Sequence, residues 1–138
     1  MTDEELRSLL ESARTIAVVG HSDRPSRDSY RIGSYLRAMG YVVHPVNPTI
    51  RSVDGHPVYP SLESVPAHID IVNVFRAPEH LPEVVEAAIR VKAKALWTQL
   101  GVVHPGAVAR AQSAGLLTVV NRCIKVDHLR LWHTRQAS

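Results

Sequence analysis

Residues 16–40 read IAVVGHSDRPSRDSYRIGSYLRAMG, and this stretch decides the fold. Ile16 to Val19 form an unbroken apolar run closed by Gly20, the pattern of a strand buried on both faces. From Tyr30 the period changes. Ile32, Leu36 and Met39 fall on one side of a helix that Gly40 stops. The intervening loop carries Ser22, Ser26 and Ser29 with the arginines Arg24 and Arg27. It opens onto a helix N-terminus, whose free N–H groups and partial positive charge favour an anion. Strand, loop and helix together read as a nucleotide-type site. The common dinucleotide fingerprint is absent, because Gly20 is followed by His21 and Ser22 rather than by a second spaced glycine. The competing reading is a solvated loop with Ser29 as the helix N-cap.

Outward from this unit the alternation repeats. Thr2-x-x-Glu5 is a capping box, predicting a helix that buries Leu6, Leu9 and Leu10. Short strands rich in Val and Ile are predicted at 15–20, 41–46, 69–75, 94–99 and 116–121. Leu81, Val84, Val85, Ala88 and Ile89 fit one helix face, with Pro78 and Pro82 at its entry. Pro105 opens a further helix that Gly115 closes. Residues 47–66 are turn-rich, with one short strand expected at Pro57–Tyr59. Apolar strands alternating with helices imply an α/β fold, a parallel sheet covered on both faces by right-handed crossovers. Ligands of such sheets bind outside the carboxyl ends of the strands, where the strand order reverses.

The 138 residues suit a single domain spanning 1–138. No apolar run approaches the ~20 residues of a membrane span. The amino-terminal MTDEELRSLLESA is acidic, unlike a signal peptide. With one cysteine, Cys123, no intramolecular disulfide forms, and a reducing cytoplasm is expected. Thirteen of the sixteen basic residues are arginine, whose planar fork suits phosphate, although genome composition explains the same bias. Nucleic-acid binding is not expected: there is no basic run, and aromatic residues are only 5%.

At the end of the second strand a nicotinamide-binding fold carries Asp or Glu for the ribose. Residues 41–53 contain no carboxylate, and Asn47-Pro48-Thr49 stands there with Arg51 nearby. This argues against NAD and tolerates an extra ribose phosphate; a plain Asn-Pro turn reads equally well. Phe75-Arg76-Ala77-Pro78 can set apolar surface beside an adenine and a cation near phosphate, or be an ordinary strand-to-helix turn. Eight histidines show no metal-ligand spacing, so no metal is expected. No nucleophile elbow or carboxylate pair is present, and no catalytic residue is assigned. Cys123 reads first as an inert core thiol and second as a reactive one at the ligand-bearing edge.

Taken together, IAVVGHSDRPSRDSYRIGSYLRAMGYVVHPVNP, VYPSLESVP, IDIVNVFRAPE, ALWTQLGV and VVNRCIKVDH resemble the stand-alone CoA-binding proteins. These are similar to the amino-terminal domain of the succinyl-CoA synthetase alpha subunit and of ADP-forming acyl-CoA synthetases. The resemblance covers residues 14–128. It implies a three-layer Rossmann-like fold with strand order 3-2-1-4-5-6, the Pro57–Tyr59 segment being the third strand. It further implies coenzyme A across the strand ends. Gly20, Ser22, Arg24, Arg27 and Ser29 would meet the phosphates, and Asn47 and Pro48 the nucleotide end. Phe75, Arg76 and Pro78 would flank the adenine, and Gln99, Leu100 and Gly101 would face the pantetheine. Where the synthetases often carry a lysine, this chain has Thr49, for which Arg51 is the nearest substitute. In the synthetases the phosphorylated histidine lies in a different domain, so the resemblance implies binding and not ligase chemistry. The expectation is therefore a non-catalytic protein binding CoA or an acyl-CoA. The alternatives are an NAD(P)-dependent oxidoreductase and a regulatory protein whose partner senses CoA.

Overall fold

The computed structural model describes residues 1–137, with side chains through Trp132. Helix α1 (Asp3–Ser12) starts at the expected box: the Glu5 amide donates to the Thr2 hydroxyl, and the Thr2 amide to the Glu5 carboxylate. Strand β1 (Thr15–Val19), helix α2 (Asp28–Ala38) and strand β2 (Val42–Val46) follow. A hairpin of β3 (Ser52–Val53) and β4 (His56–Pro57) projects before β5 (Ile71–Val74). Helix α3 (Leu81–Arg90), β6 (Ala95–Thr98), helix α4 (Pro105–Ser113), β7 (Leu117–Val119) and helix α5 (Ile124–Ala137) complete the chain.

The sheet is parallel throughout, in the order β2-β1-β5-β6-β7. Alternate strand residues feed two cores, because side chains in a strand point to opposite faces. Ile16, Val18, Ile71 and Trp97 pack under α1, α2 and α5, while Ala17, Val19, Val72 and Leu96 pack under α3 and α4. This is the expected three-layer α/β arrangement.

Two expectations need correction. The strand at Pro57–Tyr59 is reduced to one parallel bridge, Tyr59 against Val46. Tyr59 donates to the Pro45 carbonyl and accepts from the Asn47 amide, both at 2.9 Å. Pro45 has no N–H to return toward Pro57, so the ladder stops there. Pro57 instead pairs within the hairpin. Met39 is also not on the buried face of α2. It caps the helix and is 46% exposed, and Tyr41 beyond the Gly40 turn enters the core in its place.

The far side of the sheet is locked by charge. Asp127 is buried, and its carboxylate takes two bonds of 2.7 Å from Arg122 and one of 3.2 Å from Arg130. Arg130 also holds Asp3 at the start of α1. Burial pushes the Asp127 carboxyl up, but the two guanidiniums outweigh it and hold it below the usual range. No helix among the described residues is long and apolar enough to cross a membrane.

Candidate functional site: two clefts at the strand ends

Gly20 turns the chain out of β1 with φ +89°, a left-handed value that glycine adopts without strain. A side chain there would also press on Arg76 Cγ, 3.2 Å from the added carbon. The loop that follows is built from its own polar groups. The Ser22 amide donates to Ser29 Oγ at 2.9 Å, and the Arg24 amide to Ser22 Oγ at 3.0 Å. Ser29 is thus buried inside the first turn of α2, holding the loop from behind; Arg27, not Ser29, occupies the N-cap. The side chains of Arg24 and Arg27 are exposed and form no ion pair among the described residues.

His21 lies beneath this loop, 1% exposed. Its Nδ1 is 2.8 Å from the Ser22 carbonyl, and its Nε2 has no partner. Burial depresses its pKa, opposed by the Ser22 carbonyl, so the ring is held neutral. The His21 carbonyl accepts from Asn47 Nδ2 at 3.0 Å. Asn47 Oδ1 in turn takes the Thr49 amide and hydroxyl at 2.9 and 2.7 Å. Nδ2 thus ties the end of β2 to the loop after β1, while Oδ1 shapes the turn that follows β2.

Two clefts flank this tied loop. The first, about 380 Å³, lies between the ends of β1 and β2 and the exposed side of α3. Gly20, Asn47, Pro48, Thr49, Arg76 and Arg90 are among its lining residues. Arg76 meets Glu83 at 3.0 Å and Arg90 meets Glu63 at 3.7 Å, pairs at least one-third exposed on every side chain. Exposed pairs contribute about 0–1 kcal/mol, less than the roughly 1.5–3 kcal/mol of a charge-assisted bond, so a phosphate can compete for either arginine. The second cleft, about 280 Å³, lies toward β6 and is lined by Ile32, Phe75, Gln99, Leu100, Cys123 and Lys125 with the first turn of α2.

This geometry divides the expected residues. Phe75 and Arg76 are neighbours in sequence but line different clefts, Phe75 the second and Arg76 the first. Pro78 sits in a 3-10 turn, and Pro78 and Gly101 line neither cleft. Gly101 instead donates its amide to Asn121 Oδ1 at 2.7 Å, shaping the loop after β6. Arg51 does not line the first cleft; the cation found there besides Arg76 is Arg90. Cys123 is half-buried on the second cleft rather than in the core. Among the described residues no three His, Cys, Asp or Glu side chains converge on a common point; the side chain of His133 lies outside those described.

A parallel three-layer sheet with a glycine-turned, arginine-bearing loop and clefts at its strand ends defines a Rossmann-like nucleotide-binding module. Within that class the chain belongs to the CoA binding domain family, whose pattern matches residues 14–129. It is 40% identical over 124 residues to the uncharacterized protein YneT of Bacillus subtilis (strain 168), covering 90% of this chain and 92% of that one. A hypothetical protein from Pyrococcus horikoshii OT3 superposes with a TM-score of 0.94 at 40% identity, over 96% of this chain and 93% of that one. The dinucleotide forming acetyl-coenzyme A synthetase 1 of Ca. Korarchaeum cryptofilum matches at TM-score 0.66 and 25% identity, over 75% of this chain and 25% of that one. The resemblance read from the strand ends is thus the family that the comparisons show.

Proposed function

We propose that this protein binds coenzyme A across the two clefts and catalyses no reaction of its own. The observation that carries this reading is the Asn47 bridge. It joins the two strand ends at the point where a nicotinamide-binding site carries its acidic ribose ligand, and it leaves no carboxylate at that point. The first cleft, with Arg76 and Arg90, receives the phosphorylated nucleotide end. The loop with Ser22, Arg24 and Arg27 meets the diphosphate. The pantetheine runs over the loop toward Gln99 and Leu100. The reading extends to a protein working in the cytoplasm on a small-molecule ligand rather than on nucleic acid or membrane.

Calorimetric titration with CoA, 3′-dephospho-CoA and NAD tests it. CoA is expected to bind most tightly, dephospho-CoA more weakly and NAD weakest. Tighter binding of NAD overturns the reading. A parallel incubation with carboxylic acid, CoA and ATP is expected to yield no acyl-CoA; turnover abolished by a point substitution in this chain overturns the non-catalytic part.

A further inference from the structure

Gln99 stands at the inner wall of the second cleft and is 6% exposed. Its orientation is determined by chemistry. The backbone N–H of Ile124 can only donate, so the Gln99 atom 3.0 Å from it is the carbonyl oxygen, Oε1. Asn73 Nδ2 donates to the same oxygen at 3.1 Å. The amide nitrogen Nε2 is therefore turned away from this network. It has no hydrogen-bond partner among the described residues, yet it is not one of the sealed orphan polar atoms. It is the part of a nine-tenths-buried side chain that opens into the cleft, and it can only donate. Beside it Ile32, Phe75, Leu100 and the Cys123 thiol supply apolar surface, while Asp28, Arg31 and Lys125 make up the charged remainder of the lining.

A fixed donor next to apolar side chains selects a carbonyl oxygen over a thiol, since a thiol sulfur accepts hydrogen bonds only weakly. We infer that the ligand is a short-chain acyl-CoA, with Gln99 Nε2 donating to its thioester carbonyl and the acyl carbons lying on Phe75, Ile32 and Leu100. The recess, about 280 Å³ in all, takes the end of the pantetheine and a few acyl carbons. This inference rests on the CoA reading above and assigns Gln99 as its specificity-determining residue.

The test uses three probes on the whole chain: CoA, butyryl-CoA, and S-butyl-CoA, a thioether in which a methylene replaces the carbonyl. The native protein is expected to bind butyryl-CoA about tenfold more tightly than S-butyl-CoA, the difference of one good hydrogen bond. Gln99→Glu keeps an oxygen for Ile124 and Asn73 but removes the donor, and should bring the two affinities together. Equal affinity of the native protein for butyryl-CoA and S-butyl-CoA overturns the inference without any variant, so it stands or falls even if Gln99→Glu does not fold. A Gln99→Glu loss of equal size for CoA and butyryl-CoA assigns the donor to a pantetheine amide and also overturns it. Failure of all three probes to bind the native protein overturns the CoA reading instead.

Discussion

Gly33 is a glycine because of His21. A methyl carbon on Gly33 would lie 2.3 Å from His21 Nε2, inside any allowed contact, so the imidazole fills the notch that the missing side chain leaves in α2. The ring also meets Tyr30 edge-on, with centroids 6.3 Å apart. The loop that carries Ser22 and Arg24 is thereby seated on α2 by a histidine that makes no use of one ring nitrogen.

The first prediction is a double-mutant cycle on this pair. Gly33→Ala alone should destabilise by about 1–3 kcal/mol through overpacking. In the His21→Ala background the same change should be neutral or stabilising by up to about 1 kcal/mol, because alanine is the better helix former once the ring is gone. Urea denaturation of the four proteins measures it. Equal effects of Gly33→Ala in both backgrounds would show that the ring does not depend on the notch.

Acid should weaken the fold in two stages. Burial depresses His21, His44 and His128 below their ordinary 6.5. Between that value and the folded value the unfolded chain binds more protons, so stability falls as pH drops from about 6.5. Asp127 acts lower: its depressed pKa contributes stability that is present above the ordinary 3.8 and lost as pH falls through the folded value. Denaturation midpoints from pH 7.5 to 3 follow both. His21→Gln should flatten part of the first stage, and a profile unchanged by it would contradict the assignment.

Asp127→Asn should cost about 2–3 kcal/mol at neutral pH, because it leaves Arg122 and Arg130 without their shared carboxylate. The figure sits below that of a fully buried pair because both guanidiniums are over one-third exposed. Thermal unfolding at pH 7 checks it, and a melting temperature equal to that of the native protein would refute it.

Arg24→Ala with Arg27→Ala should lower CoA affinity by at least about tenfold for each arginine–phosphate bond removed. The melting temperature without ligand should stay nearly unchanged, because neither side chain forms an ion pair among the described residues. Full retention of affinity would move the phosphates off this loop.

Cys123 offers a direct view of the second cleft. N-ethylmaleimide should label it in the native protein, and S-methyl-CoA, which has no thiol of its own, should slow labelling about tenfold when present at ten times its Kd. Labelling that requires unfolding would return Cys123 to the core. Labelling that S-methyl-CoA leaves unchanged would show that the ligand does not reach the second cleft.

Much of the architecture was legible because it is written in runs. IAVV and ALW are apolar without a break, Ile71 and Val72 continue the pattern, and Leu81, Val84, Val85 and Ala88 repeat at helical spacing. The failures lie where one residue type serves two geometries. Pro45 lies inside an expected strand, and nothing local announces that its missing donor truncates the neighbouring one. Asn73, fully buried in β5, breaks the apolar run without marking itself as the partner of Gln99. Arg90 was missed because periodicity assigns it to the outer side of α3 and says nothing of what that side overlooks. Ser29 holds the loop from behind, and Asn47 ties the loop while also lining the first cleft. Their hydrogen bonds reach 7 and 26 residues away, and no local pattern signals such partners.

The Asn47 bridge also limits what this site can become. An aspartate at that position would set a carboxylate oxygen against the His21 carbonyl, so the substitution that would introduce a ribose clamp would also loosen the loop after β1. Conversion to a nicotinamide site is therefore not one step away, and the obstacle is the loop's own suspension rather than the shape of the cleft. The side chain that would have to change to admit a ribose clamp is the one that suspends the loop.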